Sequence, residues 1–433
     1  MAGTNMQPTM TINETTLKTE AGLRYWWIAI VLLASIPFIQ SIITTPFNGT
    51  LQMSQVLIRV LSLVTMVVEM GIIMLALRTG FSITKEVGHF SKAIKLALAL
   101  LAAVVIFGFV VSSQPFVIPA LITLRYILQG IAFAAIIYLV RIDDGFNPHR
   151  WFGALTLGLA AYIAYLAIFT IVVPDYPDFS WTAMLPSATS VRHIGNYVAI
   201  LAIAPAALFL FGDGTRKYAI LLCWIVAWTF IAWTGSRAAL LGLLAGVASA
   251  FVFTHRATVK AKWAQLGVAA TGGVAVSLAL PNPDPAFGLI RMFQDTSSEA
   301  DSSSGRIEIW QQTWQHILQH PWVGHQAGTF GSRMHELYGY DLDNPHNFVV
   351  QYLYDWGFVG GSAALFLIGC LAVSIFRRRA QAAILVFPAF AGMAILLSIG
   401  LLEGMLYHPL KMVLVMAMIA PLLGRHSPKF KND

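Results

Sequence analysis

The chain has 433 residues, of which 57% are hydrophobic and only 11% are charged. Soluble domains carry roughly a quarter of charged residues, whereas many segments here reach the ~20 apolar residues that cross a bilayer. The composition therefore excludes an ordinary soluble domain and predicts an all-α polytopic membrane protein. A transmembrane β-barrel is excluded because the apolar segments are continuous instead of alternating. In such a chain the net charge of +7 reports orientation, not nucleic-acid binding.

In chain order, residues 1–24 are polar, have no apolar signal-peptide core and predict a cytoplasmic tail. Twelve membrane spans are predicted between residues 25 and 424, which form one helical domain, and residues 425–433 are a second tail. The predicted spans are 25–44, 54–77, 93–112, 117–140, 151–173, 195–212, 218–234, 237–254, 263–281, 346–376, 381–403 and 410–424.

The basic residues predict the orientation of the spans. Most Lys and Arg residues between spans fall on the connections that share a side with the two tails. Because cytoplasmic connections are enriched in Lys and Arg, both termini are predicted to be cytoplasmic. The long loops 174–194 and 282–345 then face outward, into the periplasm if the host is a two-membrane bacterium.

The second outer loop is predicted to contain an amphipathic helix that starts at Arg306. Ser302 to Ser304 can supply its N-cap, and Pro321 should end it. The remainder of the loop, rich in glycine, is predicted to be irregular. The apolar residues that recur at helical spacing are Ile307, Trp310, Trp314, Ile317 and Leu318.

His346 is the strongest candidate for catalysis. Asn344 is a good N-cap and Pro345 suits the first helical position, so His346 is predicted in the first turn of the span that follows. The helix dipole disfavours an imidazolium there, and a neutral imidazole is what a general base requires. The alternative is that His346 only caps the helix or anchors it at the membrane interface.

Three outer arginines are candidates for binding an anion. Arg192 ends the first outer loop, Arg237 follows Gly235-Ser236 at a break between two spans, and Arg306 begins the amphipathic helix. A guanidinium suits phosphate because its planar fork donates two parallel hydrogen bonds and stays charged. These positions are exceptions to the charge bias that sets the orientation, and an anionic ligand would explain them.

A polar cavity is predicted to be lined by Arg59, Arg125 and His193. An intramembrane arginine is expensive and usually faces a wet cavity or an ionic partner. For Arg59 and Arg125, structural ion pairing is the equal alternative. The carboxylates available for such pairing are Glu69, Asp355 and Glu403.

No metal or cofactor site is predicted. His316 and His320 are four residues apart, but the glutamate of a zinc-protease motif is missing. Asp341 and Asp343 form a D-x-D pattern that some sugar transferases use for a divalent ion, although aspartates before a helix usually act as caps. The sequence also contains no nucleotide-binding glycine loop and no serine-hydrolase elbow.

Taken together, these features resemble the O-antigen ligase and polymerase superfamily. The motifs span residues 190–375, and the order of the spans extends the similarity along the chain. The matching elements are Gly235-Ser236-Arg237-Ala238-Ala239, Gly305-Arg306-x-x-x-Trp310, His320-Pro321 followed by Gly324, and His346-Asn347 followed by Gly357 and Gly360.

This resemblance implies a GT-C-like fold and an inverting, metal-independent glycosyltransferase without a cofactor, in the bacterial inner membrane and with a periplasmic active site. The donor would be a glycan on undecaprenyl pyrophosphate, and for a ligase the acceptor would be a sugar hydroxyl of lipid A–core. The catalytic histidine of the superfamily falls on His346. Its functional arginines fall on Arg192, Arg237 and Arg306.

Other functions remain open. An O-antigen polymerase and a protein O-oligosaccharyltransferase use the same donor, although the latter usually carries an extra region after the last span, where this sequence has only a short tail. A secondary transporter or flippase would be expected to show inverted repeats and helices broken at mid-membrane. No repeat is visible, and the polar residues concentrate on one side.

Overall fold

The structure is a computed structural model that describes most of the chain. The described residues are 14–44, 54–111, 117–172, 185–188, 190–212, 214, 216–254, 259–282, 287–290, 305–339, 342–404 and 408–425, without the side chains of 14–24, 54–60 and 111. Across these ranges the fold is all-α and contains no β-strand, which confirms the predicted fold class.

The described helices are numbered here in chain order, and the longest connections lie between α6 and α7 and between α10 and α11. The first eight are α1 (Glu14–Thr44), α2 (Ser54–Arg78), α3 (Ile83–Gly88), α4 (Lys92–Val111), α5 (Val117–Ile142), α6 (Pro148–Val172), α7 (Val191–Phe211) and α8 (Lys217–Trp233). The others are α9 (Arg237–Thr254), α10 (Lys260–Ala279), α11 (Arg306–Gln319), α12 (Phe330–Tyr338), α13 (Phe348–Arg377), α14 (Ala383–Leu402) and α15 (Pro409–Gly424).

Every one of the twelve predicted spans coincides with a helix. Within the described residues, nine helices are long and apolar enough to cross a membrane, and α8 and α15 are shorter apolar helices. The chain is therefore a multi-pass membrane protein. The count of twelve crossings stays a prediction, because α10 covers the remaining span without reaching the same apolar character.

Helix α7 forms the centre of the bundle. Nearly all of its side chains are buried, and it packs against α6, α8, α9 and α14. Helix α9 lies very close to α14 because Gly242 lacks a side chain: a Cβ there would come within 2.6 Å of Ile399. Small residues allow such close helix approach inside membranes. The starts of α7 and α9 are thereby fixed next to the end of α14.

Helix α13 is broken at Gly357, whose φ of +60° and ψ of −169° are not helical. Backbone hydrogen bonds join residues 321–326 to residues 354–359 on both sides of this break. A side chain at Gly357 would overlap the backbone of Trp322. The break therefore lets the connection after α11 dock directly onto α13, which ties the amphipathic helix to the bundle.

Two predictions about the second outer loop are wrong. The N-cap of α11 is Gly305, in the left-handed conformation with a φ of +73°, and not a serine. The part predicted to be irregular contains α12, whose Phe330 and Met334 are buried against α11 and α13. A helix of nine residues gains its stability from such tertiary packing, which local sequence patterns do not show.

Candidate functional site

His346 lies just before α13 and not in its first turn. The N-cap is Asn347, whose side chain accepts hydrogen bonds from the first backbone N–H groups of the helix at 2.9 and 3.3 Å. The predicted cap at Asn344, with Pro345 as the first helical residue, is therefore wrong by three residues. Asn344 instead uses its Oδ1 to accept a hydrogen bond from the backbone N–H of His346 at 2.9 Å.

The backbone of His346 is held in an unusual conformation. Its φ is +56°, in the left-handed region that residues with side chains seldom adopt. The loop is fixed from two sides: Trp310 of α11 donates its Nε1–H to the Pro345 carbonyl at 2.7 Å, and Gly404 packs directly against the Asn344 side chain. Strain of this kind persists where the surroundings over-determine the backbone, as they do at many functional sites.

Arg192 and Arg237 lie at the starts of two adjacent helices. Arg192 is in the first turn of α7, which begins before the predicted end of the outer loop, and Arg237 is the first residue of α9. The left-handed Gly235, with a φ of +63°, forms the predicted break before Arg237. Gly195 brings the two helix starts together, since a Cβ there would approach Thr234 Oγ1 to 2.7 Å.

His346 shares one electrostatic environment with these arginines and with Arg306, the first residue of α11. Burial, Arg306, Arg192 and Lys411 together lower the pKa of His346 to about 4, while Glu403 opposes them. Burial also lowers the pKa of Arg306, with Glu403 opposing and both Arg192 and Arg237 adding to the effect. These four predicted residues thus lie close enough to act on the same charges, and we call this group the chamber. The lowered pKa leaves the imidazole of His346 neutral at pH 7.

Glu403 and Lys411 complete the chamber, and the sequence did not reveal their role. Glu403 follows the end of α14 and accepts a hydrogen bond from the Asn196 amide. Its Oε2 also lies 3.6 Å from the Nζ of Lys411, which is fully buried. In the sequence, Glu403 and Lys411 lie on either side of the connection between α14 and α15, which could have indicated an ion pair. From the sequence we considered Glu403 only as a partner for Arg59 or Arg125.

His193 and His408 extend the polar region toward the interior. Their rings are tilted against each other by 59°, with centroids 4.1 Å apart, and both line a small cavity of about 30 Å³ together with Arg125. Burial lowers the pKa of His408 well below its usual value, and the nearby His193 and Lys411 act in the same direction. The cavity is large enough for about one water molecule.

Arg125 lies between two buried carboxylates. It interacts electrostatically with Glu69 of α2 and with Asp355 of α13, and its guanidinium also lies 5.2 Å from the ring of Tyr126. Arg125 therefore has both features that its sequence suggested, ionic partners and a polar cavity. The side chain of Arg59 lies outside the described residues, so its predicted place in the cavity stays a prediction.

The outer histidines form a separate cluster. The ring of His325 lies 6.1 Å from that of His316 and 4.7 Å from that of His320. Burial lowers the pKa of His325 to about 4, and its Nε2 lies 2.8 Å from the His316 carbonyl oxygen. Among the described residues no three His, Cys, Asp or Glu side chains are grouped to hold a metal ion. Asp341, one half of the D-x-D pattern, lies outside them.

Comparison with known families agrees with this geometry. A family model described as O-antigen ligase matches residues 221–365. The matched segment, about a third of the chain, is similar to the O-antigen ligase family. This similarity supports the predicted resemblance, and the matched segment contains Arg237, Arg306 and His346. No curated protein matches the chain.

Proposed function

We propose that this member of the O-antigen ligase and polymerase superfamily is an O-antigen ligase. It would act as an inverting, metal-independent glycosyltransferase on the periplasmic face of the bacterial inner membrane. The donor would be O-antigen glycan on undecaprenyl pyrophosphate, and the acceptor a sugar hydroxyl of lipid A–core. The observation that carries this proposal is a neutral imidazole, His346, in the field of Arg306 and Arg192 at one end of a membrane helix bundle.

The arginines suit a pyrophosphate leaving group. Arg192 and Arg237 add to the lowering of the Arg306 pKa by burial, while Glu403 is the carboxylate that opposes them. As the bond from the anomeric carbon to the pyrophosphate breaks, the electron pair leaves with the phosphate oxygen. Fixed cations aimed at this developing charge stabilise the transition state, and losing one such group typically costs about 3 kcal/mol. The activated donor supplies the free energy, so no nucleotide is needed.

His346 would act as the general base. The acceptor oxygen attacks the anomeric carbon from the face opposite the pyrophosphate, and its proton passes to the imidazole. By itself His346 is a weak base, since burial, Arg306 and Arg192 lower its pKa to about 4. The negative charge of a bound pyrophosphate would offset Arg306 and Arg192 and raise that pKa. The imidazole thus becomes a stronger base when the donor is present, and Glu403 stabilises the imidazolium that forms.

The strained position of His346 supports this role. Trp310 and Asn344 both hydrogen-bond to the peptide unit that joins Pro345 to His346, so the imidazole is placed without depending on a regular helix. Trp310 lies one helical turn after Arg306 on α11. The same short helix therefore positions both the base and one of the cations. The groups that take the proton and stabilise the leaving group are thus held in a fixed relative position.

The proposal is tested by reconstituting the purified full-length protein in liposomes with undecaprenyl-linked glycan and lipid A–core. Products are separated on a gel, with and without a chelator. A ligase attaches glycan to lipid A–core, and chelation leaves the rate unchanged. Lengthening of the polyprenyl-linked glycan alone would assign the chain to the polymerases, and a strict need for a divalent ion would contradict metal-independent transfer.

A further inference from the structure

An apolar groove lies at the end of the bundle away from the candidate site. Helices α9, α13 and α14 each have one end at that site. The far parts of α9 and α13 and the middle of α14 line a groove of about 360 Å³. Its walls include Ser249, Phe253, Val373, Phe376, Phe390 and Ala394. The groove therefore has no part in the proposed transfer reaction.

The groove is open toward the lipid. Val373 and Phe376 of α13 are 48% and 45% exposed on one side. The rings of Phe253 and Phe390 stack against each other with centroids 4.1 Å apart, which joins α9 to α14 at the groove. Such a groove, apolar and open on one side, has the chemistry of an acyl-chain site.

Arginines lie where this groove ends. The guanidinium of Arg379 is 4.2 Å from the centroid of the Phe376 ring, a wall of the groove. Its Nη1 donates to the Phe376 carbonyl at 3.2 Å. Arg378 is half-buried and donates to the Ser374 carbonyl at 3.2 Å. Among the described residues, neither arginine forms an ion pair with a carboxylate, and burial already lowers the pKa of Arg378. An anion bound here would compensate for the cost of burying the charged guanidinium.

We infer that this groove binds one acyl chain of an anionic phospholipid, with the headgroup phosphate on Arg378 and Arg379. The leaflet is the one opposite the candidate site. A neutral lipid would fill the groove but leave the guanidiniums without a counter-charge. If a second copy of the chain filled the groove instead, it would have to place an acidic side chain beside Arg378 and Arg379. Basic clusters at the ends of membrane helices attract anionic headgroups, so the combination of groove and cations favours an anionic lipid.

The test uses purified full-length protein in detergent and native mass spectrometry. Phosphatidylglycerol and phosphatidylcholine with identical acyl chains are the two probes. Wild-type protein should retain phosphatidylglycerol preferentially. Each of the substitutions Arg378→Gln and Arg379→Gln should weaken its binding about fivefold. Arg150→Gln, an exposed arginine at the same end of the bundle on α6, is the matched control and should change nothing.

The groove itself is tested by Ala394→Trp, with Ser249→Phe as a second variant in case the first does not fold. Either substitution should abolish retention of both lipids while leaving glycan transfer intact. Equal retention of the two lipids, or no effect of the arginine and groove variants, would overturn the inference. A dimer that the groove variants disrupt without any change in lipid retention would overturn it as well. None of these results depends on whether the chain is a ligase.

Discussion

Replacing Glu403 by Gln separates structural from catalytic effects in the chamber. The substitution keeps the shape of the side chain and an oxygen that can accept the Asn196 hydrogen bond. It removes the charge that Lys411 faces at 3.6 Å and the charge that opposes Arg306 at His346. Two consequences follow, one for the free energy of unfolding and one for the rate of transfer.

The stability consequence arises because Lys411 is fully buried. Breaking a buried ion pair by removing one partner typically costs about 3–5 kcal/mol, whereas replacing both partners by groups of similar size is often neutral. Glu403→Gln should therefore lower the thermal unfolding temperature clearly. The double variant Glu403→Gln/Lys411→Met should restore most of it, since no charge is then buried alone.

The rate consequence should persist in the double variant. Without the carboxylate, Arg306 and Arg192 lower the pKa of His346 unopposed, and the imidazolium formed during transfer loses its stabilising charge. We expect a loss of about tenfold or more in the rate of glycan transfer for both variants. The assays are thermal unfolding and transfer by the same reconstituted protein. Wild-type stability of Glu403→Gln, or wild-type activity of the double variant, would refute this reasoning.

Three further predictions concern the same chamber. Arg306→Lys keeps the charge but loses the paired donors, so transfer should fall about 100-fold; an unimpaired rate would rule out two-point phosphate contact. Gly404→Ala should displace Asn344 and with it the base, slowing transfer in protein that still inserts, whereas Gly369→Ala, which has open space, should be silent. The kcat/KM for the donor reports the protonation state of the free enzyme. Because the lowered pKa keeps His346 neutral, kcat/KM should stay level as pH falls from 8 to 6 and should decline toward pH 4. Loss of half of kcat/KM near pH 6.5 would contradict this prediction.

The membrane helices could be predicted from the sequence because long apolar runs leave few alternatives to a spanning helix. The start of α11 at Arg306 and the break at Gly235 could also be predicted from the sequence, since both depend on local residues. The start of α13 was not. Asn344 and Asn347 are both good caps, and only the contacts of the first with Gly404 decide between them. Those contacts come from residues far along the chain.

The same limit explains what was missed in the chamber. Glu403 accepts a hydrogen bond from Asn196, which lies 207 positions away in the sequence. No local sequence pattern predicts such a pair. Arg192, Arg237 and Arg306 could be selected from the sequence because they are exceptions to the charge bias that sets the orientation, and His346 because it lies where a span begins. The effect of the arginines on the pKa values of Arg306 and His346 could be seen only in the folded chain.

The central claim is that His346 takes the acceptor proton beside arginines that hold the donor pyrophosphate. Its most direct test is the initial rate of glycan transfer by His346→Ala in liposomes, measured together with binding of the undecaprenyl-linked donor. His335→Ala, an exposed outer histidine on α12, serves as the control. We expect His346→Ala to bind the donor as the wild type does and to transfer glycan at least about 100-fold more slowly. Transfer at the wild-type rate by His346→Ala would contradict it.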